Sequence, residues 1–192
     1  MIVETYELRS AADVDEDEGL VIQARSDKAA FVELYRRHYD AIFRYCAHRL
    51  FDRAAAEDVT SEVFLKMVED FHRFRGTDKQ FGTWLYRIAT NAVNNHLRRM
   101  NRRNRLLRAA REQTNSQAAD CGQSAERIAL LKEAMLTLKP HYQTVLTLRF
   151  FENLKMIEIA EVLCSSPGTV RSQLARALAK MRSKIASAKQ EI

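Results

Sequence analysis

Apolar residues recur at helical spacing along nearly the whole chain, and the places where that rhythm stops divide it into segments. Leu20, Val21 and Ala24 follow a run of acids beginning at Asp15, which predicts a helix with its negative charges in the first turn. Phe31, Leu34, Tyr35, Ile42, Phe43 and Cys46 predict a second helix over about Lys28 to Leu50. Val59, Val63, Phe64, Met67 and Val68 predict a third, over about Arg53 to Phe71. Arg73 to Phe81 contains Gly76, Thr77 and Asp78 and reads as a loop. Thr83 then caps a long helix through Trp84, Leu85, Ile88, Ala89, Val93 and Leu97 towards Arg111.

The rhythm ceases over residues 112–124, where polar and small residues dominate, and resumes with helices over Ala125 to Leu138 and His141 to Phe151, broken at Lys139-Pro140. Leu154 to Leu163 places Ile157, Ala160 and Leu163 on one face, Cys164 and Ser165 turn the chain, and Ser166 caps a last helix that opens with Pro167. In that helix Val170, Leu174, Ala177, Leu178 and Met181 form the inward stripe, leaving Arg171, Ser172, Gln173, Ala175 and Arg176 outward. The expected fold is all-α: a polar tail (1–14), a helical domain (15–111), a flexible linker (112–124) and a second helical domain (125–192) ending in a helix-turn-helix.

Composition sharpens this. The 192 residues include only five Gly and two Pro, in keeping with helices. Residues 1–20 hold seven acids and one arginine, which leaves +12 on the rest of a chain whose net charge is +6. That is the footprint of a polyanion-binding body behind an acidic tail. The tail either solubilises or shields the basic faces. Three separated cysteines form neither a disulfide framework nor a thiolate metal site and suit a reducing cytoplasm. The acidic start is not a secretory signal, and no run approaches the roughly 20 apolar residues that span a bilayer.

Two helices carry the charge. Between Lys79 and Arg111 stand nine cations and no acid, interleaved with Trp84, Tyr86, Asn91, Asn94, Asn95 and His96. Cations beside aromatic rings suit unpaired bases, and Asn amides pair with adenine edges; for Trp84 alone, core packing is an equal reading. From Pro167 to Lys189 there are six cations and no acid, a helix fitted to a DNA major groove. Glu57, Asp58 and Glu62 form an acidic patch, which composition assigns to solvent as readily as to a basic protein surface. There is no phosphate-binding glycine loop, HExxH or nucleophile elbow, and the five histidines lack metal spacing. No enzyme, cofactor or small-molecule substrate is expected. The apolar stripes are those a core needs, so no membrane insertion is expected either.

Phe31-x-x-Leu34-Tyr35, Ala56-Glu57-Asp58 with Glu62-Val63-Phe64, Phe81-x-x-Trp84-Leu85-x-x-Ile88-Ala89-x-Asn91 and Arg98-Arg99 resemble region 2 of the sigma-70 family. Leu138-x-Pro140, Leu148-Arg149-Phe150, Glu158-Ile159-Ala160-Glu161 and Gly168-Thr169-Val170-Arg171-Ser172 resemble its region 4. With no region 3 between them, the resemblance is to the extracytoplasmic-function (ECF) group, over roughly residues 15–187. It implies an initiation factor for core RNA polymerase that opens promoters. Glu57, Asp58, Glu62 and Phe64 would dock on the β′ clamp helices, and Leu146, Leu148 and Phe150 on the β flap. The loop from Phe74 to Phe81 would capture a flipped base, with Trp84, Arg87, Asn91, Asn94, Asn95, Arg98 and Arg99 along the opened −10 strand. Ser166, Thr169, Arg171, Ser172, Gln173, Arg176 and Lys180 would meet the −35 element. An anti-sigma factor is a further implied partner.

The chain departs from the family pattern at three positions: Ser61 where Gln is frequent, Asn95 where Asp is frequent, and Cys164 where the turn usually holds Gly. The linker has only Glu112 and Asp120 as acids. The rival reading is a one-component helix-turn-helix regulator of duplex operators, which leaves the long basic helix unexplained.

Overall fold

The computed structural model describes residues 19–110 and 123–190. Their elements run α1 (Leu20–Gln23), α2 (Lys28–Leu50), α3 (Arg53–Asp70), a 3-10 turn (Phe71–Arg73), α4 (Asp78–Ala110), α5 (Gln123–Thr137), α6 (Pro140–Phe150), α7 (Met156–Val162) and α8 (Pro167–Gln190), with no strand among the described residues. The expected tail, the acids Asp15 to Glu18 and most of the linker lie outside them.

Local chemistry sets the boundaries. The Asp27 carboxylate accepts from the amides of Ala29 and Ala30 to start α2, and Asp52 accepts from Ala55 to start α3. Pro140 opens α6, where its missing amide proton costs nothing. In α7 the Glu158 carboxylate turns back to the Lys155 amide at 2.5 Å. α1 begins at Leu20, and its cap is remote. Gly19 sits at φ 107, and its amide and that of Val21 both donate to the carboxylate of Asp78, 59 and 57 residues away.

The start of α4 corrects the sequence reading. The helix begins at Asp78 rather than at Thr83, because Thr77 is its true cap. The Gln80 and Phe81 amides donate to the Thr77 carbonyl, and Gln80 Oε1 accepts from the Thr77 amide at 3.0 Å. Gly82 is simply absorbed into the helix.

α2, α3 and α4 pack on one another around Leu34, Ile42, Tyr45, Val59, Val63, Met67, Phe81, Leu85, Ala89 and Val93. A second core gathers Val145, Leu148, Ile159, Val162, Val170, Ala177 and Met181 where α6 and α7 meet α8. The expected inward stripe of α8 is found, with Leu178 partly buried at its edge. Three expected core residues, Tyr35, Val68 and Ile157, are exposed. Val68 lies about 100° around α3 from Met67, and Ile157 is 64% exposed because Ile159, about 200° further round α7, takes the inside. The two cores also meet, with α4 against α7 and α2 against α6.

Candidate nucleic-acid interface

In the helix-turn-helix, Cys164 turns the chain at φ 49, a left-handed conformation with a steric cost in any residue but glycine. The Leu163 and Ser165 amides donate back to the carbonyls of Ile159 and Ala160, closing α7. Ser166 Oγ accepts from the Thr169 amide at 3.1 Å and shares a hydrogen bond with the Thr169 hydroxyl at 2.9 Å, so this hydroxyl is committed to capping. Thr169, Arg171, Ser172, Arg176 and Lys180 are exposed on α8, with Thr169 and Arg171 at opposite edges of its outer face, whereas Gln173 is half-buried. Val170, Leu174 and Ala177 fix the rotation of this helix, and that rotation presents the cations. The arrangement offers a groove-sized helix with arginines on its outer face and its free amide end uncompensated by acids.

The second half of the interface is built on α4 and the loop before it. Phe74, Phe81 and Trp84 pack against one another, the two Trp84 pairs tilted and Phe74–Phe81 edge-to-face, with centroids 4.9 Å (Phe74–Trp84), 5.5 Å (Phe81–Trp84) and 5.6 Å (Phe74–Phe81) apart. Only Trp84 keeps part of its ring open. Beside it opens a cavity of about 530 Å³ lined by Asp70, Arg73, Phe74, Arg75, Gly76, Gln80 and Trp84. Gly76 is required there, because a Cβ would sit 2.5 Å from the Phe74 ring. The loop is fastened from α1 and the turn after it: Arg25 donates to the Phe74 carbonyl at 3.2 Å, and Asp78 holds the amides of Gly19 and Val21.

Phe81 departs from its expected role. It is fully buried between Phe71, Phe74 and His38, so it supports the wall of the cavity and cannot itself receive a base. Phe74 is nearly as buried and contributes only an edge. The same environment holds His38, whose ring lies 5.1 Å from Phe81; burial, reinforced by Arg37, brings its pKa down to about 4.

Along α4, Asn91, Asn95, Arg98, Arg102 and Arg103 are exposed, in agreement with a solvent-facing basic edge. Asn95 accepts from Arg98 at 3.2 Å. Asn94 is different: it is half-buried and its Oδ1 accepts from Arg49 Nη2 at 2.9 Å. Arg87 is exposed, yet its Nη1 lies 3.4 Å from the Sγ of Cys164 in the helix-turn-helix. Arg99 donates to both carboxylate oxygens of Glu62 at 3.1 and 3.2 Å. An expected strand-binding arginine and an expected docking acid thus share one exposed ion pair, worth under about 1 kcal/mol in water.

On α3, Glu57, Asp58 and Glu62 are exposed, with Glu57 held by Arg53 at 2.9 Å. Phe64 is not available for docking. It is 4% exposed, its ring tilted against Tyr35 at 4.6 Å and stacked on Tyr39 at 5.6 Å, because it continues the inward row of Thr60 and Val63. Exposed Leu65 and Val68 flank the acids instead. On α6, Leu146 and Leu148 are likewise core residues, and only Phe150 of the three expected flap contacts is exposed.

Sequence reasoning missed a set of buried polar residues where the two cores meet. Arg49 is 1% exposed and donates to Gln143 Oε1 at 2.8 Å as well as to Asn94. Tyr86 donates its hydroxyl to Glu152 Oε2 at 2.8 Å, and burial with the Glu152 charge beside it raises the phenol pKa well above its ordinary value. One signal was available: Arg49 falls on the apolar stripe of α2, seven residues after Ile42 and three after Cys46. Among the described residues no set of His, Cys, Asp and Glu side chains forms a metal site, and no helix is long and apolar enough to cross a membrane.

The model of Sigma-70 region 2 matches residues 34–104, and that of Sigma-70, region 4 matches residues 128–181. The RNA polymerase sigma-H factor of Pseudomonas aeruginosa is 35% identical over 175 residues, covering 85% of this chain and 90% of its own. The ECF RNA polymerase sigma factor BldN of Streptomyces coelicolor is 33% identical over 177 residues, covering 88% and 67% respectively. Among solved structures, CnrH in complex with the cytosolic domain of CnrY shares the fold at a TM-score of 0.67 and 20% identity, covering 89% of this chain and 97% of that one. The sigma factor RpoE of Bartonella quintana, in complex with the anti-sigma factor NepR, does so at 0.63 and 17%, covering 81% and 96%.

Proposed function

Given that the chain belongs to the ECF group of the sigma-70 family and so directs core RNA polymerase to promoters, we propose how its residues divide that work. The outer face of α8 reads the −35 element as duplex: Arg171 and Arg176 reach base edges, Ser172 and Thr169 lie beside them, and Lys180 meets phosphate. The −10 element is held as an opened strand. Its backbone runs along Arg98, Asn95 and Asn91, and one unstacked base enters the cavity beside Trp84, where Arg73, Arg75, Asp70 and Gln80 surround its polar edge. The single observation that carries this reading is that cavity, open between an aromatic wall and the start of a basic helix.

Glu57, Asp58 and Glu62, with Leu65 and Val68 beside them, form the surface for a basic, partly apolar element of the polymerase clamp. Exposed Phe150 serves the β flap. The domain limits that go with this division are 15–111 for −10 recognition and 125–192 for −35 recognition, joined by 112–124. The chain works in the cytoplasm, as a specificity subunit without a reaction of its own. CnrH and RpoE were each captured with a CnrY or NepR partner, and an anti-sigma factor is accordingly the expected regulator here.

Transcription by core RNA polymerase on a library of host promoters, with and without the purified chain, tests the reading. Discrete start sites that require the chain, sharing a −10 and a −35 element, are the expected result. Duplex binding by the chain alone, with no new start sites, overturns it in favour of an operator-binding regulator.

A further inference from the structure

A row of residues on α4 leads away from the cavity. Trp84, Arg87, Asn91, Asn95, Arg98 and Arg102 follow one another at three- and four-residue steps, which places them on one side of the helix. From Trp84 to Arg102 the row rises about 27 Å. Its chemistry changes on the way. The cavity end offers a ring and the middle offers two amides, groups that stack on bases and pair with them. Past Asn95 the row holds guanidinium groups alone, and Asn101 and Asn104 lie off it.

The support of the helix changes at the same place. Leu97 packs against the core, whereas every residue from Arg98 to Asn104 is exposed, Met100 included. Helices in proteins owe most of their stability to such packing. Here like charges four residues apart, Arg98 with Arg102 and Arg99 with Arg103, oppose the helix as well. No acid stands between Asp78 and Glu112 to relieve them from within the segment. Glu62 on α3 meets Arg99, but neither Arg102 nor Arg103 has a carboxylate partner among the described residues. A polyanion laid against this turn would remove the repulsion.

The choice of polyanion follows from what the turn lacks. Without a ring or an amide on the row, it has nothing with which to hold an unpaired base. Guanidinium groups alone read phosphate, and duplex DNA presents a charge about every 1.7 Å of its axis, twice the density of one of its strands. Chain direction supplies the side. One end of α4 borders the cavity, and the other leads through residues 112–124 to the half that reads the −35 element, so the duplex within reach lies between the two elements. We propose that Arg102 and Arg103 form a sequence-independent site for the phosphates of the double-stranded DNA immediately upstream of the opened −10 strand. One helix then carries the unpaired strand on its packed turns and the edge of the closed duplex on its unsupported one. The inference rests on the assignment of α4 to the −10 strand.

The test uses the full chain assembled with core RNA polymerase, as wild type, as the double variant Arg102→Ala/Arg103→Ala and as the charge-preserving Arg102→Lys/Arg103→Lys. Circular dichroism of each free chain confirms helicity. Affinity is measured between about 50 and 200 mM salt for two probes built from the promoter found in the transcription experiment. One is a fork, duplex from the −35 element to the upstream edge of a single-stranded −10 overhang; the other is the −10 strand alone. On the fork, the alanine pair should lower the slope of log affinity against log salt by about 1.8, so that its deficit against wild type shrinks about tenfold over that range. The loss should be equal for all −10 and −35 variants, the lysine pair should keep the wild-type slope, and binding of the −10 strand alone should not change. An unchanged slope on the fork overturns the site. So does an equal loss on the single strand, which would place both arginines on the melted DNA, or a weaker grip on core polymerase, which would make the turn a protein contact. Start sites with an unchanged fork slope sink this site alone, whereas absence of start sites sinks the functional assignment itself.

Discussion

His38 and Gly76 show how single residues near the cavity serve the fold and the site together. His38 is neutral in the folded chain because its ring is packed against Phe81, with a pKa near 4 against an ordinary 6.5. Protonation is therefore easier in the unfolded chain. The stability this neutral ring supports is complete above pH 6.5 and is lost as the pH falls towards 4, by about 2–3 kcal/mol. Urea unfolding at pH 7.5 and 4.5 should show that loss in the wild type, and His38→Asn should show correspondingly less of it; equal slopes would disprove the assignment. At Gly76, an alanine Cβ would strike the Phe74 ring at 2.5 Å and force it off Trp84. Gly76→Ala should cost about 1–3 kcal/mol of stability by overpacking and weaken transcription from promoters that depend on the −10 base. An unchanged melting temperature would mean that the Phe74 ring yields freely.

At the scale of elements, α8 was the most legible from sequence and α4 the least at its start. Ser166, Pro167 and the stripe Val170, Leu174, Ala177 and Met181 state a cap, a first turn and an inner face locally, within one helix. The cations opposite that stripe follow without further information. Arg171→Ala and Arg176→Ala should each lower transcription by the equivalent of about 1–3 kcal/mol, to an extent that changes with the −35 sequence. Equal loss over all −35 variants would reassign the arginine to phosphate. The beginning of α4 was obscured because Gly82 and Thr83 imitate a boundary, while the real cap depends on Gln80 turning back to Thr77. Phe64 was misjudged for a related reason. A motif residue next to Glu62 carries no sign of which way it points, and the row of Thr60 and Val63 turns it inward.

For the molecule as a whole, the all-helical architecture and its two cores were readable because periodicity is a local property. The way the cores meet was not. Arg49 and Gln143 are 94 residues apart in sequence, and Tyr86 and Glu152 are 66 apart. Nothing within either segment names its counterpart. An arginine on an apolar stripe announced that something polar must be buried beside it, and the identity of that partner came only from tertiary structure. The cavity was half legible for the same reason: Trp84 and the glycine at position 76 marked the loop, but Asp70 and Arg73 reach it from the end of α3 and the turn that follows.

The fastening of that loop has a consequence for how such a chain changes over generations. Its frame is set by Arg25 on the Phe74 carbonyl, by Asp78 on two amides of the α1 end and by Arg75 on the His72 and Phe74 carbonyls, and none of these bonds involves the side chain of Arg73 at the cavity rim. Exchange of Arg73 changes the rim of the cavity while these bonds stay intact, whereas exchange of Arg75 removes two of them. On the role proposed for the cavity, descendants of this chain should shift promoter preference through position 73 without loss of stability, whereas a change at position 75 should carry a stability cost as well.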